Sequence, residues 1–200
     1  MSYQDENHLI TTQNLIKTWS KIPDKHNVIA FYLDNHHLYG CFSNFYIHYP
    51  FNFIIPDWCG LMAGFQAKIE FSEKAIILCK ASLMNDQESF NKILVSNNAS
   101  SIKELGRQII NWDQKLWDIH VCLIAKEVIE AKFTQIDGLK EVLFLTKNHL
   151  IADIASNDKI WGIGMSKYNP DINYPSRWKG ANVLGWALME VRDKLLEKAN

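Results

Sequence analysis

The sequence predicts one α+β domain, mostly helical with a small antiparallel sheet, and three observations lead there. A chain of 200 residues with 48% apolar side chains builds one sizeable core but is short for two. The stretch from Val28 to Phe71 is dense in aromatics and cut by turn formers, the pattern of short strands. From Ser72 onward most apolar residues recur at helical spacing. No internal repeat and no linker composition divides the chain. The expected organisation is an N-terminal extension over 1–27 and the domain proper over 28–200.

In chain order, residues 1–27 are polar with apolar points at Leu9, Ile10, Leu15, Ile16 and Trp19. They read either as a short docked helix before the turn "PDKHN" or as a mobile extension. "VIAFYL" and parts of "NHHLYGCFSNFYIHYPFNFII" are strand-like, and the sheet is expected to continue through "FQAKIEF". Gly40 and Gly60 mark turns or close approaches. "SEKAIILCKASLM" changes period, with Ser72 as expected N-cap and Glu73 and Lys74 in the first turn. Glu73, Ile77, Lys80 and Met84 then share one side of that helix. Two charges on a stripe with Ile and Met read as a half-buried ion pair or as the edge of a pocket.

Short helices follow at 86–95 and 99–109. Asn111 with Gln114 three residues on resembles an imperfect capping box for a long helix from Trp112 to Phe133. Trp117, Val121, Ile124 and Val128 form its apolar stripe. "TQIDGLKEVLFLT" is helical and "HLIADIA" a short strand. Pro170 and Pro175 keep 169–177 irregular. The final helix, "GANVLGWALMEVRDKLLEK", turns Leu184, Leu188, Val191 and Leu195 inward.

Composition narrows the function classes. With 21 basic and 22 acidic side chains, there is no general electrostatic drive toward nucleic acid, although a local basic pocket remains open. Cys41, Cys59, Cys79 and Cys122 have no C-x-x-C pairing, and neither a signal-like segment nor a run of about 20 apolar residues is present. The expectation is a soluble cytoplasmic protein, without membrane association, whose cysteines pack as small hydrophobes. HExxH, P-loop, G-x-G-x-x-G and G-x-S-x-G patterns are missing, so no metal and no cofactor is expected.

What remains is a set of polar residues in aromatic or glycine-rich settings: Asn44, Glu73, Lys80, Arg107, Asp153, Asp158, Trp161, Lys179 and Asn182. Each has an ordinary structural reading. Asn44 can bond a turn, Arg107 can face helix carbonyls, Asp158 can cap the turn before Trp161, and Lys179 can be a solvated charge. Taken singly, they go no further than a polar pocket.

Taken together, the pieces resemble a family. "GCFSNF" (40–45), "SEKAIILCKA" (72–81), "LGR" (105–107), "AKF" (131–133), "ADIASNDKIWGIG" (152–164) and "WKGANVLGWALMEVRDKL" (178–195) follow the order found in YbiA-like proteins, also called the NADAR domain. The resemblance covers about residues 28–195, and "NDKIWGIG" followed by "WKGANVLG" is its most specific part. It implies a YbiA-like fold and an N-glycosidase acting on a small phosphorylated ribosyl substrate. Two substrate types are implied, phosphoribosylamino-pyrimidine intermediates of riboflavin biosynthesis and ADP-ribosyl-guanine. The second makes ADP-ribosylated nucleic acid a candidate partner.

By the same resemblance, Glu73 is the family's helix glutamate and is expected to stabilise the oxocarbenium-like state and orient water. Asp158 is expected to position water or a ribose hydroxyl. Asn44 would hydrogen-bond the departing base, Lys80 and Arg107 a phosphate, and Trp161 would form a flat wall. Asp153 and Lys179 complete the expected binding set. Two departures bear on substrate choice: Lys74 and Ala75 stand where the family usually has Gln or His and then an aromatic, and Asp153 stands where Glu is common. The competing class is a non-catalytic module that binds ADP-ribose or an NAD-derived nucleotide. Retention of Glu73 weighs against it, because a carboxylate beside a phosphorylated ligand is electrostatically awkward without another task.

Overall fold

The structure, a computed structural model, describes residues 10–34 and 36–199. Leu9, among the apolar points of the N-terminal segment, lies outside these residues. Helix α1 (Thr12–Ser20) begins where the Thr11 hydroxyl accepts the Asn14 N–H, the usual N-terminal device. Leu15 and Trp19 are buried beneath it. The Trp19 indole donates to the Ala181 carbonyl at 2.7 Å and its ring meets Trp178 at 5.2 Å. Of the two readings of this segment, the structure has the docked helix.

The strands differ from the expected single antiparallel sheet. β1 (Val28–Phe31) pairs in parallel with β4 (Leu150–Asp153), Val28 opposite Leu150 and Phe31 opposite Asp153. β2 (Phe51–Ile54) and β3 (Gln66–Ile69) form a separate antiparallel pair, with Phe51 and Phe53 buried and Asn52 and Ile54 exposed. A parallel partner is reached only through a long crossover, and nothing in the neighbourhood of β1 announces it. Gly40 and Gly60 are indeed close approaches: a Cβ would stand 2.3 Å from the Asp34 oxygen at Gly40 and 2.0 Å from the Ser82 oxygen at Gly60.

Helix α2 (Ser72–Leu83) buries ten of its twelve residues, which is why it has no polar face. The expected Ser72 cap is corrected: extended Phe71 occupies the cap position without a side-chain bond. Ser72 is the first helical residue, fully buried, and its hydroxyl has no partner. Burying the Phe71 ring sets the start of the helix, and the hydroxyl follows it inward. Lys74 is also buried, held by Glu70 at 2.8 Å and Asn97 at 3.1 Å.

Asp86 caps α3 (Gln87–Val95) and Asn98 caps α4 (Ala99–Arg107). The long helix α5 (Gln114–Gln135) is capped by Asp113 through the Leu116 N–H, not by Asn111. Asn111 instead takes a left-handed φ of 56°, a turn conformation that asparagine tolerates. Trp117, Val121, Ile124 and Val128 are buried as their spacing predicts. α6 (Asp137–Leu145) leads to β4. Residues Pro170–Asn173 and Pro175–Arg177 form two single 3₁₀ turns. α7 (Val183–Ala199) buries Leu184, Leu188, Val191 and Leu195. α5 packs against both α2 and α7, and β4 lies on α7. All four cysteines are free and buried.

Candidate active site

The end of β1, Glu73 of α2, Leu184 of α7 and three further segments, brought together by this packing, enclose a cavity of about 540 Å³, within the size range of small-molecule sites. The first is the loop after the Gly40–Phe42 turn. The fully buried Lys132 ammonium of α5 donates to the Cys41 carbonyl at 2.6 Å and to the Ser43 carbonyl at 3.2 Å, fixing that loop from below. The Asn44 carbonyl accepts the Glu73 N–H at 2.8 Å, which ties the loop to the first turn of α2. Asn44 is buried and lines the cavity, and its side-chain oxygen has no partner.

The second segment is the end of β4 with the turn that follows. Asp153 accepts the Ile163 N–H on its own carbonyl at 2.8 Å. Its N–H donates to the Asn182 side chain at 3.2 Å, and Asn182 in turn donates to the Ile151 carbonyl at 2.8 Å. One oxygen of Asp158 accepts from the Ile160 and Trp161 N–H groups at 2.9 and 2.8 Å. The ordinary reading of Asp158 as a turn former therefore holds, and the residue also lines the cavity, its other carboxylate oxygen bonded to none of the described residues. Gly162 allows the turn to fold back, since a Cβ there would stand 2.7 Å from the Asp153 carbonyl oxygen. The third segment, α4, contributes Lys103 and Arg107.

Six of the eight expected site residues line this one cavity: Asn44, Glu73, Arg107, Asp153, Asp158 and Trp161. Lys80 and Lys179 do not. Lys80 is turned to the other side of α4, where it donates to the Gly106 carbonyl at 2.6 Å, and Lys179 is exposed on the loop before α7. Sequence reasoning missed Lys103, together with Ser43, Ser156 and Asn157. The signal for Lys103 was its spacing of four from Arg107, which places both on one face of α4. Lys103 stands 5.4 Å over the Phe45 ring.

Electrostatics single out two carboxyls. Burial pushes Glu73 up from 4.5 to about 7; the Asp158 charge adds to that rise, while Lys103 and Lys80 oppose it. Asp153 is likewise pushed up to about 7 by burial and then by Asp158. Such clefts with neighbouring carboxyls of raised pKa are characteristic of acid–base chemistry. Near neutral pH the site holds both protonated and ionised carboxyls, with two cations at one wall. Among the described residues no group of three or more His, Cys, Asp or Glu side chains is placed to hold a metal ion. No helix among them is long and apolar enough to cross a membrane.

A model of the NADAR domain matches residues 30–196. The chain is 36% identical over 124 residues to an N-glycosidase of Acanthamoeba polyphaga mimivirus, covering 62% of this chain and 72% of that one. It is 32% identical over 137 residues to protein irg-1 of Caenorhabditis elegans, covering 64% and 61%. It is 27% identical over 161 residues to an N-glycosidase of Nostoc punctiforme, covering 78% and 86%. The NMR structure of the E. coli protein YbiA superimposes with a TM-score of 0.64 at 25% identity, over 88% of this chain and 89% of that one.

Proposed function

The chain belongs to the NADAR domain family, and from that premise we propose that it is an N-glycosidase acting on a phosphorylated ribosyl substrate. The observation that carries the reading is the pair Glu73 and Asp153, facing one cavity with Asp158 and both raised to about 7. The N-glycosidase relatives support the same reaction class.

Breaking the bond from the anomeric carbon to nitrogen sends the bonding electrons to the base and leaves positive charge on the sugar. Ionised Glu73 stabilises that charge, orients a water toward the anomeric carbon and takes up its proton as the new C–O bond forms. Asp153 in its protonated form supplies the proton that the departing nitrogen acquires. Asp158 keeps that proton on Asp153, since two adjacent carboxylates resist ionising together, and its free oxygen positions water or a ribose hydroxyl.

Lys103 and Arg107 receive the phosphate carried by the ribose, Lys as a point charge and Arg as a planar fork. Trp161 offers a flat wall, and the amide of Asn44 bonds the base. The substrate is of the phosphoribosylamino-pyrimidine or the ADP-ribosyl-guanine type.

The test is incubation of the protein and its Glu73→Gln variant with each substrate type, released base and sugar being read by mass spectrometry. Release from one substrate, reduced about 10²-fold or more in the variant, is expected for loss of an acid–base group. Tight ADP-ribose binding without release from either substrate overturns the hydrolase reading in favour of a binding module.

A further inference from the structure

Lys80 lies on the Glu73 stripe of α2 but outside the cavity, and its surroundings give it a different task. Its ammonium donates to the Gly106 carbonyl at 2.6 Å and stands 4.5 Å over the Trp112 ring. The carbonyls of the last helical turn have no acceptor role inside their own helix, and a cation is the favourable partner at that end. Gly106 is also the point where α4 touches α2, for a Cβ there would stand 2.8 Å from the Ile77 side chain. Ile77 sits one turn before Lys80 on the same face. The helix held in this way is the one that presents Lys103 and Arg107 to the cavity.

We propose that Lys80 is a positioning residue for the site: it caps α4 from the neighbouring helix, fixing the wall that carries Lys103 and Arg107, and sets a positive charge along α2 from Glu73. The catalytic consequence rests on the N-glycosidase reading, but the positioning itself does not. The charged groups that act on Glu73 are Lys103 from α4, Asp158 from the loop after β4 and Lys80 from α2 itself, with Asp153 and Arg107 on the same cavity. Glu73 and Lys80 each favour the charged form of the other.

The deciding experiment uses the full chain without substrate, as wild type, Lys80→Met and Lys80→Arg. The Glu73 carboxyl is titrated by ¹³C NMR, its signal assigned by its loss in Glu73→Gln, and amide exchange is followed in parallel. In Lys80→Met the Glu73 midpoint moves to higher pH, and the amides of the last turn of α4 exchange about tenfold faster while those of α5 and α7 keep their protection. Lys80→Arg restores the wild-type midpoint. An unmoved midpoint together with unchanged α4 exchange in Lys80→Met overturns the proposal. Should Lys80→Met fail to fold, Lys80→Gln takes its place: a raised Glu73 midpoint with faster exchange in the last turn of α4 supports the assignment, and a wild-type midpoint with unchanged exchange overturns it. Both readouts are independent of turnover, so their failure is distinct from failure of the glycosidase assay.

Discussion

Replacing Glu73 by glutamine should remove activity and, above neutral pH, stabilise the fold. Glu73 ionises at about 7 in the folded protein instead of 4.5. At ~1.4 kcal/mol per pH unit, that gap makes its ionised form roughly 3 kcal/mol costlier in the folded than in the unfolded chain. The sign follows from proton counts. Well below pH 4.5 both states hold the proton and the penalty is absent. Between 4.5 and about 7 the unfolded chain releases its proton first, so it binds fewer protons and stability falls as pH rises. Above about 7 the penalty is complete.

Glutamine copies the shape of the protonated carboxyl and does not titrate. Glu73→Gln should therefore exceed wild type by up to about 3 kcal/mol at pH 8.5, but by less than about 1 kcal/mol at pH 5. Urea unfolding at the two pH values measures this directly. With a slope of about 2 kcal/mol/M, the alkaline gain is a midpoint shift of roughly 1.5 M. A variant no more stable than wild type at pH 8.5, or equally stabilised at both pH values, would show that Glu73 is not held in an unfavourable ionised state and would remove the electrostatic argument for its role.

Further outcomes follow from the same geometry. Asp158→Asn keeps an oxygen for the Ile160 and Trp161 N–H groups but removes the charge that raises Glu73 and Asp153. The acid limb of kcat/KM against pH should move to lower pH, and a limb that stays in place contradicts the coupling. Lys103→Ala should do the opposite, because Lys103 favours ionised Glu73, and it should also raise KM for the phosphorylated substrate. An unchanged KM removes Lys103 from the phosphate role. Gly185→Ala would place a Cβ 2.1 Å from the Ile151 carbonyl oxygen, forcing α7 away from β4. A loss of about 1–3 kcal/mol, typical of overpacking, is expected by thermal or urea unfolding, and a neutral result contradicts that close packing.

By itself the sequence determined the helices, because their apolar spacing is a local property: α5 and α7 bury the residues their period selects. It also pointed to most of the polar groups of the candidate site, since Asn44, Glu73, Arg107, Asp153, Asp158 and Trp161 stood out by context and by family resemblance, and all line one cavity. Tertiary structure alone decided the parallel pairing of β1 with β4, whose partners lie far apart in the chain. It decided where helices begin, because burial of Phe71 displaced the expected Ser72 cap and turn geometry favoured Asp113 over Asn111. It also separated Lys80 from the cavity and put Lys103 there. Helical spacing says which residues share a face, but only the packing of α4 against α2 says which side of α4 each cation reaches. The protonation of Glu73 and Asp153 has the same origin, since both rises come first from burial, and burial is created by the assembled fold.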